Sequence, residues 1–263
     1  MWRWTKANRE AYEKIHGGAI GDVTAIYSSY YTGSVDRYPK WNRQNTKTDL
    51  EWQLRRWYYF TWLSGDHIVE QAIHSIDKLL WTMKDEPPAS VVCIGGRQAR
   101  PGEPGGEYGN IYDHFAAEFR WENGVKGYHY CRQIGRCYNA NTDEVFGTKG
   151  VYQGESASKR HVIIHSENPW RYAAPAGLKD NGYQTEHDEM YASIRSGKPI
   201  NTSDRFTKTT MAAIMARMAA YTGKEVTWEQ AMNSKEDLFP ADLQWDSKLP
   251  VAPVAVPGVN ELT

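Results

Sequence analysis

Glu70 and His74 are the residues whose types and spacing point most directly to chemistry. Positions i and i+4 of a helix are neighbours on one face, about 40° apart in projection. A carboxylate one turn before an imidazole can orient the ring and raise its pKa, as a general acid or base requires. An ordinary ion pair on a solvated polar face has the same spacing. His67 adds a third group at i, i+3 and i+7 and opens a metal reading, a lyase or isomerase with His67, Glu70 and His74 as ligands. Three helix neighbours seldom converge on one ion without a fourth ligand, and the pattern is not H-E-x-x-H.

The residues just before this pair are aromatic. Trp57, Tyr58, Tyr59, Phe60 and Trp62 follow Arg55 and Arg56, too continuous to alternate cleanly in and out of a sheet. Taken singly, each ring is best read as core. As a group beside a polar helix face they fit a pocket rim, where an indole stacks on the C–H face of a sugar and Arg55 or Arg56 bonds its hydroxyls. Arg55, Trp57, Tyr58, Trp62 and His67 are therefore candidate substrate contacts. Tyr112 and His114 form a second polar-aromatic cluster. Alternation from Ile111 places them on one strand face and Asp113 with Phe115 on the other, and a strand-edge hydrogen-bond network explains them equally well. His161, His165 and His187 are scattered and read as structural.

The elements that position these groups follow from periodicity. Over Asp66 to Trp81 the apolar residues Ile68, Val69, Ala72, Ile73, Ile76, Leu79 and Leu80 share one side at about 100° per residue, with Asp66 as N-cap. That spacing predicts one continuous helix with Glu70, His74 and Asp77 on its polar side. Lys6 to His16 reads as a helix ended by Gly17-Gly18, and Val23 to Tyr31 as a strand. Thr32 to Leu50 is a long polar loop. Ser90 to Gly95, Ile111 to Trp121, Val125 to Gln133, Asp143 to Phe146, Val151 to Gln153 and His161 to His165 read as strands, with hairpin turns at Asn123-Gly124 and Gly147-Thr148-Lys149-Gly150. Gly102 to Gly109 is a glycine-rich loop between strands. Thr185 opens a capping-box helix ending at Ser196-Gly197, Asp204 to Thr222 is a second helix, and Thr227 caps a third. Strands clustered between helices predict an α+β fold, a largely antiparallel or mixed open sheet with helices on one face. No G-x-G-x-x-G follows a strand, so no dinucleotide fingerprint is present.

The bulk composition removes several function classes. The 263 residues carry a formal net charge of −1, which leaves no electrostatic footprint for nucleic acid or an anionic membrane. Three cysteines form neither a metal-ligand pair nor an even disulfide framework. No apolar run approaches the roughly 20 residues needed to span a bilayer, and no signal-peptide core is present. The expectation is a soluble cytoplasmic chain. Its 11 Trp and 17 Tyr against 6 Phe favour half-wet surfaces, because these rings carry a polar handle.

Gly65-Asp66-His67-Ile68-Val69-Glu70-Gln71-Ala72-Ile73-His74-Ser75-Ile76-Asp77 resembles the second-domain motif of the Gfo/Idh/MocA oxidoreductases. That motif runs from a glycine-rich turn through an acidic residue and three spacers to the catalytic His, then Ile or Leu and Asp. The resemblance makes His74 the catalytic His and Glu70 the acidic residue, usually Asp, displaced by one methylene. Gly17 to Val23, Gly147 to Gly150 and Ala213 to Lys224 are also similar, so the likeness covers roughly Tyr12 to Asn233. It implies a substrate domain that oxidises a sugar or polyol hydroxyl with NAD or NADP and forms a homo-oligomer through its sheet face. It also implies an N-terminal Rossmann domain and a Glu-Lys-Pro motif, neither of which is in this sequence. Residues 1–20 then read as the last helix of a nucleotide domain, 21–248 as a substrate and oligomerisation domain, and 249–263 as an extended tail. The chain is expected to be a truncated product or a stand-alone domain that does not bind the dinucleotide unaided. A non-catalytic sugar-binding or dimerising module, and an NAD-assisted glycosidase, are the alternatives.

Overall fold

The computed structural model describes residues 1–34, 40–100, 108–155, 159–241 and 243–263. Part of the expected Thr32 to Leu50 loop and most of the Gly102 to Gly109 loop lie outside these residues. A short 3₁₀ turn, Trp2–Trp4, precedes α1 (Lys6–His16) and β1 (Val23–Thr32). Then come α2 (Asp49–Arg55), a 3₁₀ turn (Trp57–Tyr59), α3 (Thr61–Ser64), α4 (His67–Glu70) and α5 (Ile73–Thr82). Seven strands follow, β2 (Ser90–Gly96), β3 (His114–Arg120), β4 (Lys126–Gln133), β5 (Thr142–Gly147), β6 (Gly150–Glu155), β7 (Arg160–Ile164) and β8 (Trp170–Arg171). The chain continues through α6 (Gly182–Arg195), α7 (Ser203–Thr222), β9 (Val226–Thr227) and α8 (Trp228–Met232).

The strands form one sheet in the order β8-β7-β6-β5-β1-β4-β3-β2-β9. Only β1 and β4 run parallel; every other neighbouring pair is antiparallel. The expected mixed open sheet is what forms. Alternation divides its faces. Phe115, Ala117 and Phe119 of β3 and His129 and Cys131 of β4 point to the buried face, under α1, α5 and α7. Helix α7 meets the sheet through Ala212, Ala213, Ala216, Ala219 and Ala220, all buried, and such small side chains allow a close approach. The other face carries Tyr27, Tyr128 and Tyr130 and, among the described residues, no covering helix.

Two local expectations changed. The α6 cap is Asn181, whose side chain accepts from the Tyr183 amide, so the helix starts at Gly182, before Thr185. Strand β3 starts at His114, and Ile111, Tyr112 and Asp113 are all buried ahead of it. Tyr112 and His114 therefore do not share a strand face. The Tyr112 amide and the Asp113 carboxylate are committed to bonds outside the sheet.

A polar row crosses the centre of the buried face. Ser28 of β1 lies between His129 and Asp143 in register, and its hydroxyl is 2.8 Å from His129 Nδ1. Lys78 of α5 forms an ion pair with Asp143, and both are buried. Removing one member of such a pair strands the other charge, whereas removing both does not. Lys78→Met is expected to lower stability by about 3–5 kcal/mol, and Lys78→Met with Asp143→Leu to recover most of that loss, as read by urea unfolding. A single variant within about 1 kcal/mol of wild type would show that the pair does not anchor α5.

Candidate active site

The turn ahead of α4 is built on Asp66. Its side chain is fully buried and accepts from the His67 amide at 2.5 Å, the Tyr112 amide at 2.7 Å and the Tyr221 hydroxyl at 2.5 Å. Its backbone stands at φ 76°, ψ 164°, a region nearly confined to glycine that costs about 1–3 kcal/mol. Burial pushes its carboxyl up to about 6 despite these donors. The network continues outward. Arg100 Nη1 donates to the Tyr112 carbonyl at 2.8 Å and Nη2 to Gln133 Oε1 at 2.6 Å. Gln133 Nε2 in turn donates to the Tyr58 hydroxyl.

The expected helix over 66–81 is interrupted. The Gln71 and Ala72 amides both donate to the His67 carbonyl at 3.0 Å, and α5 restarts at Ile73. This one-residue π-type widening, a feature frequent at functional sites, takes Glu70 and His74 off a common i,i+4 ladder. Gln71, at the break, accepts the Tyr30 hydroxyl of β1 at 2.8 Å. His74 sits half-buried in the first turn of α5. Burial lowers its pKa, the amino terminus of Met1 and Lys78 lower it further, and Asp77 opposes them. The expected rise is therefore not found. His74 is a neutral imidazole near neutral pH, able to accept a proton.

The other candidates fall into three places. Tyr58, His67 and Tyr112 are enclosed. Tyr112 donates its hydroxyl to the Ala255 carbonyl at 2.8 Å. His67 packs edge-on against Phe115 with its pKa pushed well down, by burial first and then by Arg100. The charge of Glu70 acts on Tyr58. Trp57 and Trp62 pack on a second core of Trp52, Tyr58, Tyr59, Phe60 and Ile111. Trp62 gives its indole N–H to Gln53 at 2.7 Å, and Arg55 stacks on Trp41 and pairs with Glu51. His114 points to the open sheet face, opposite the face under α5, with Nδ1 2.8 Å from Asp113. Burial raises Asp113, but His114 and the Gln98 and Ala99 amides outweigh it and hold the carboxyl below its ordinary value. His67, Glu70 and His74 do not form a metal centre, and no group of three or more His, Cys, Asp or Glu placed to hold a metal occurs among the described residues.

Sequence reasoning read Asp66 only as a helix cap and gave no role to Arg100, Gln133, Tyr30 or Gln71. Only Asp66 had a signal, as a helix cap after glycine. The others act through partners far along the chain.

Residues 8–153 match the GFO/IDH/MocA C-terminal domain. The chain belongs to the Gfo/Idh/MocA family. No protein of curated function matches its sequence. Among solved structures it is similar to the aldose-aldose oxidoreductase from Caulobacter crescentus complexed with glycerol, with a TM-score of 0.66 and 19% identity over 86% of this chain and 61% of that one. It is equally similar to levoglucosan dehydrogenase in complex with NADH and levoglucosan, with a TM-score of 0.66 and 16% identity over 86% of this chain and 64% of the other. At these identities the likeness is one of fold. This Gfo/Idh/MocA chain spans less than two thirds of the length of these structures. No helix among its described residues is long and apolar enough to cross a membrane.

Neither α1 nor α8 is built to take a dinucleotide. Its pyrophosphate needs a glycine-rich turn from a strand into a helix N-terminus. Here the first amides of α1, from Lys6 and Ala7, are already bonded to the Asp180 carboxylate at 2.8 and 3.1 Å, and β9 enters α8 through a capping box on Thr227.

The buried titratable groups set a pH dependence of stability. Burial, reinforced by Lys78, lowers His129 to about 3 and His161 to about 4. Against an unfolded value of about 6.5, both bind fewer protons when folded. They contribute stability above pH 6.5 that is lost as pH falls through that window. Asp66, raised to about 6 from 3.8, works in the opposite sense. Its contribution is complete below its unfolded value and is lost as pH rises towards 6. Urea midpoints should therefore fall between pH 6.5 and 4, with a shallower slope in His129→Asn and a steeper one in Asp66→Asn. Slopes that moved in the reverse directions would overturn these assignments.

Proposed function

We propose that this chain is the substrate half of an oxidoreductase acting on a sugar or polyol hydroxyl, with His74 as the group that takes the hydroxyl proton. The observation that carries this is the half-buried, neutral imidazole at the start of α5, beside the widened turn that holds Gln71 on Tyr30. A base kept neutral by burial and by nearby positive charge is ready to accept a proton at neutral pH. The solved relatives with glycerol and levoglucosan support a polyhydroxylated substrate.

The roles of the remaining candidates follow from their exposure. Glu70 contributes negative charge at the end of α4 near Tyr58, and Tyr58, His67 and Tyr112 position the turn from within. Arg55, Trp57 and Trp62 form the outer aromatic wall, where a sugar ring would rest. His114 belongs to the open sheet face. That face, with Tyr27 and Tyr130 in ring contact at 5.5 Å, supports association of two copies. The roles given are confined to binding the polyol and moving its proton.

Calorimetry and ligand-observed NMR with glucose, myo-inositol and levoglucosan test this. Polyol binding is expected, weakened at least tenfold in His74→Ala. Where a dinucleotide-bearing assembly is available, His74→Ala should cost about 10²–10⁴-fold in kcat. Polyol binding that ignores His74 sinks the assignment. NAD and NADP should show no micromolar binding to the chain alone, and tight binding would contradict the fit described above.

A further inference from the structure

The two edges of the sheet are finished differently. At one, β8 pairs with Val162 and Ile163 of β7, and the Tyr172 amide donates to the His161 carbonyl at 2.9 Å. At the other, β9 pairs with Ser90 and Val91 of β2 alone. Strand β9 is short because the chain comes off α7 through Gly223, at φ 72°, and joins the edge only at Val226. The Trp228 amide donates to the Ala89 carbonyl, whereas the Gly96 carbonyl accepts from Asp113, just ahead of β3, each at 2.9 Å. Main-chain groups of odd-numbered residues therefore turn towards the β9 side and those of even-numbered ones towards β3. Beyond Val91 the β9 side presents the N–H and C=O groups of Cys93 and Gly95, and no strand or loop among the described residues bonds to them there. Open edges are usually blunted by charge, proline or a bulge. Strand β2 reads Ser-Val-Val-Cys-Ile-Gly-Gly in unbroken register with β3 and has none of these.

A groove of about 430 Å³ lies along this edge, lined by residues 92–95 of β2, by Ala220, Gly223 and Lys224 at the end of α7 and by Pro257. Ala220 and Gly223 are small and leave room for main chain beside β2. Ile94 is 75% exposed. Of the charged groups here, Glu118 is paired with Arg120 and Lys126, and Glu225 with Arg120. Lys224 is exposed and has no ion pair among the described residues. Donors and acceptors at strand spacing are matched by another extended main chain, and the unmatched ammonium selects a carboxylate. We propose that the open edge of β2 takes an acidic, extended peptide of a partner protein as an added strand in line with β9. Its main chain bonds to Cys93 and Gly95, its carboxylate pairs with Lys224, and one of its side chains packs on Ile94 as a cross-strand neighbour. An ion pair at so exposed a lysine contributes little alone, so most of the affinity comes from the main-chain bonds and Ile94.

The test uses the 263-residue chain and a blocked peptide of about ten residues, alternating valine and threonine around one central aspartate. Calorimetry should show one-site binding, and hydrogen exchange read by NMR should show new protection of the Cys93 and Gly95 amides. The same peptide with its central amides N-methylated cannot add as a strand and should bind at least tenfold more weakly. Lysine in place of the aspartate, or Lys224→Glu in the chain, should each weaken binding about two- to fivefold, and the two changes together should restore it. Absence of binding, protection confined to other residues, or indifference to N-methylation would overturn the proposal. A charge swap without recovery would overturn the pairing with Lys224. Protection of Cys93 and Gly95 that rises with the concentration of the chain alone, and disappears in Ile94→Lys, would also overturn it, since a second copy would then be the occupant.

Discussion

Asp66 joins four parts of the fold that lie far apart along the chain. Its carboxylate takes the first amide of α4, the Tyr112 amide from the loop before β3, and the Tyr221 hydroxyl from α7. Tyr112 then fastens Ala255 of the C-terminal segment. The two amides are buried and the Tyr221 hydroxyl partly so, and losing the carboxylate would orphan groups that cost about 1–3 kcal/mol apiece when buried. That outweighs the strain of a non-glycine residue at φ 76° and explains why an aspartate occupies a position whose backbone favours glycine. The conformation turns the chain sharply between α3 and α4 and so sets where α5 and His74 emerge.

The same constraint gives the aromatic block its role. The loop before β3 must pass close to Tyr59. Gly109, at φ 52°, lies where a Cβ atom would come within 2.0 Å of the Tyr59 carbonyl oxygen, and Asn110 accepts the Thr61 amide at 3.0 Å. Tyr58, Tyr59 and Phe60 are the packing that holds this loop against α3 and α4. The hydroxyl of Tyr58 is absorbed into the Gln133–Arg100 chain. Only the flanking rings, Trp57 and Trp62, retain surface. A run of six residues thus separates into an inner scaffold and an outer wall.

Much of this was legible in the sequence. The strands, their hairpins and the long helices follow from alternation, turn residues and caps, which act within a few positions. The motif around His74 was recognisable for the same reason. The break between α4 and α5 was not, because the apolar residues Ile68, Val69, Ala72 and Ile73 fit an unbroken helix. The widening at the His67 carbonyl accompanies the Tyr30–Gln71 bond, a contact 41 residues apart. The pKa of His74 was read with the wrong sign because a neighbouring carboxylate was visible in one dimension, whereas burial, Lys78 in its folded position and the Met1 amino group were not. Buried networks such as Asp113 with the Gln98 and Ala99 amides leave no periodic trace.

Helix α5 shows how these features combine into a directional site. On one side Ile76, Leu79 and Leu80 fix it in the core, and Lys78 bonds across to Asp143 on the sheet. Asp77 holds Arg3, which also pairs with Asp85, so the N-terminal turn is fastened to the same helix. His74 is the polar residue of its first turn left half-open. A rigid helix therefore presents one half-buried imidazole beside the amino-terminal turn that Arg3 fastens to it. Ser75, Lys78 and Thr82 of the same helix are buried, and their packing fixes where His74 stands.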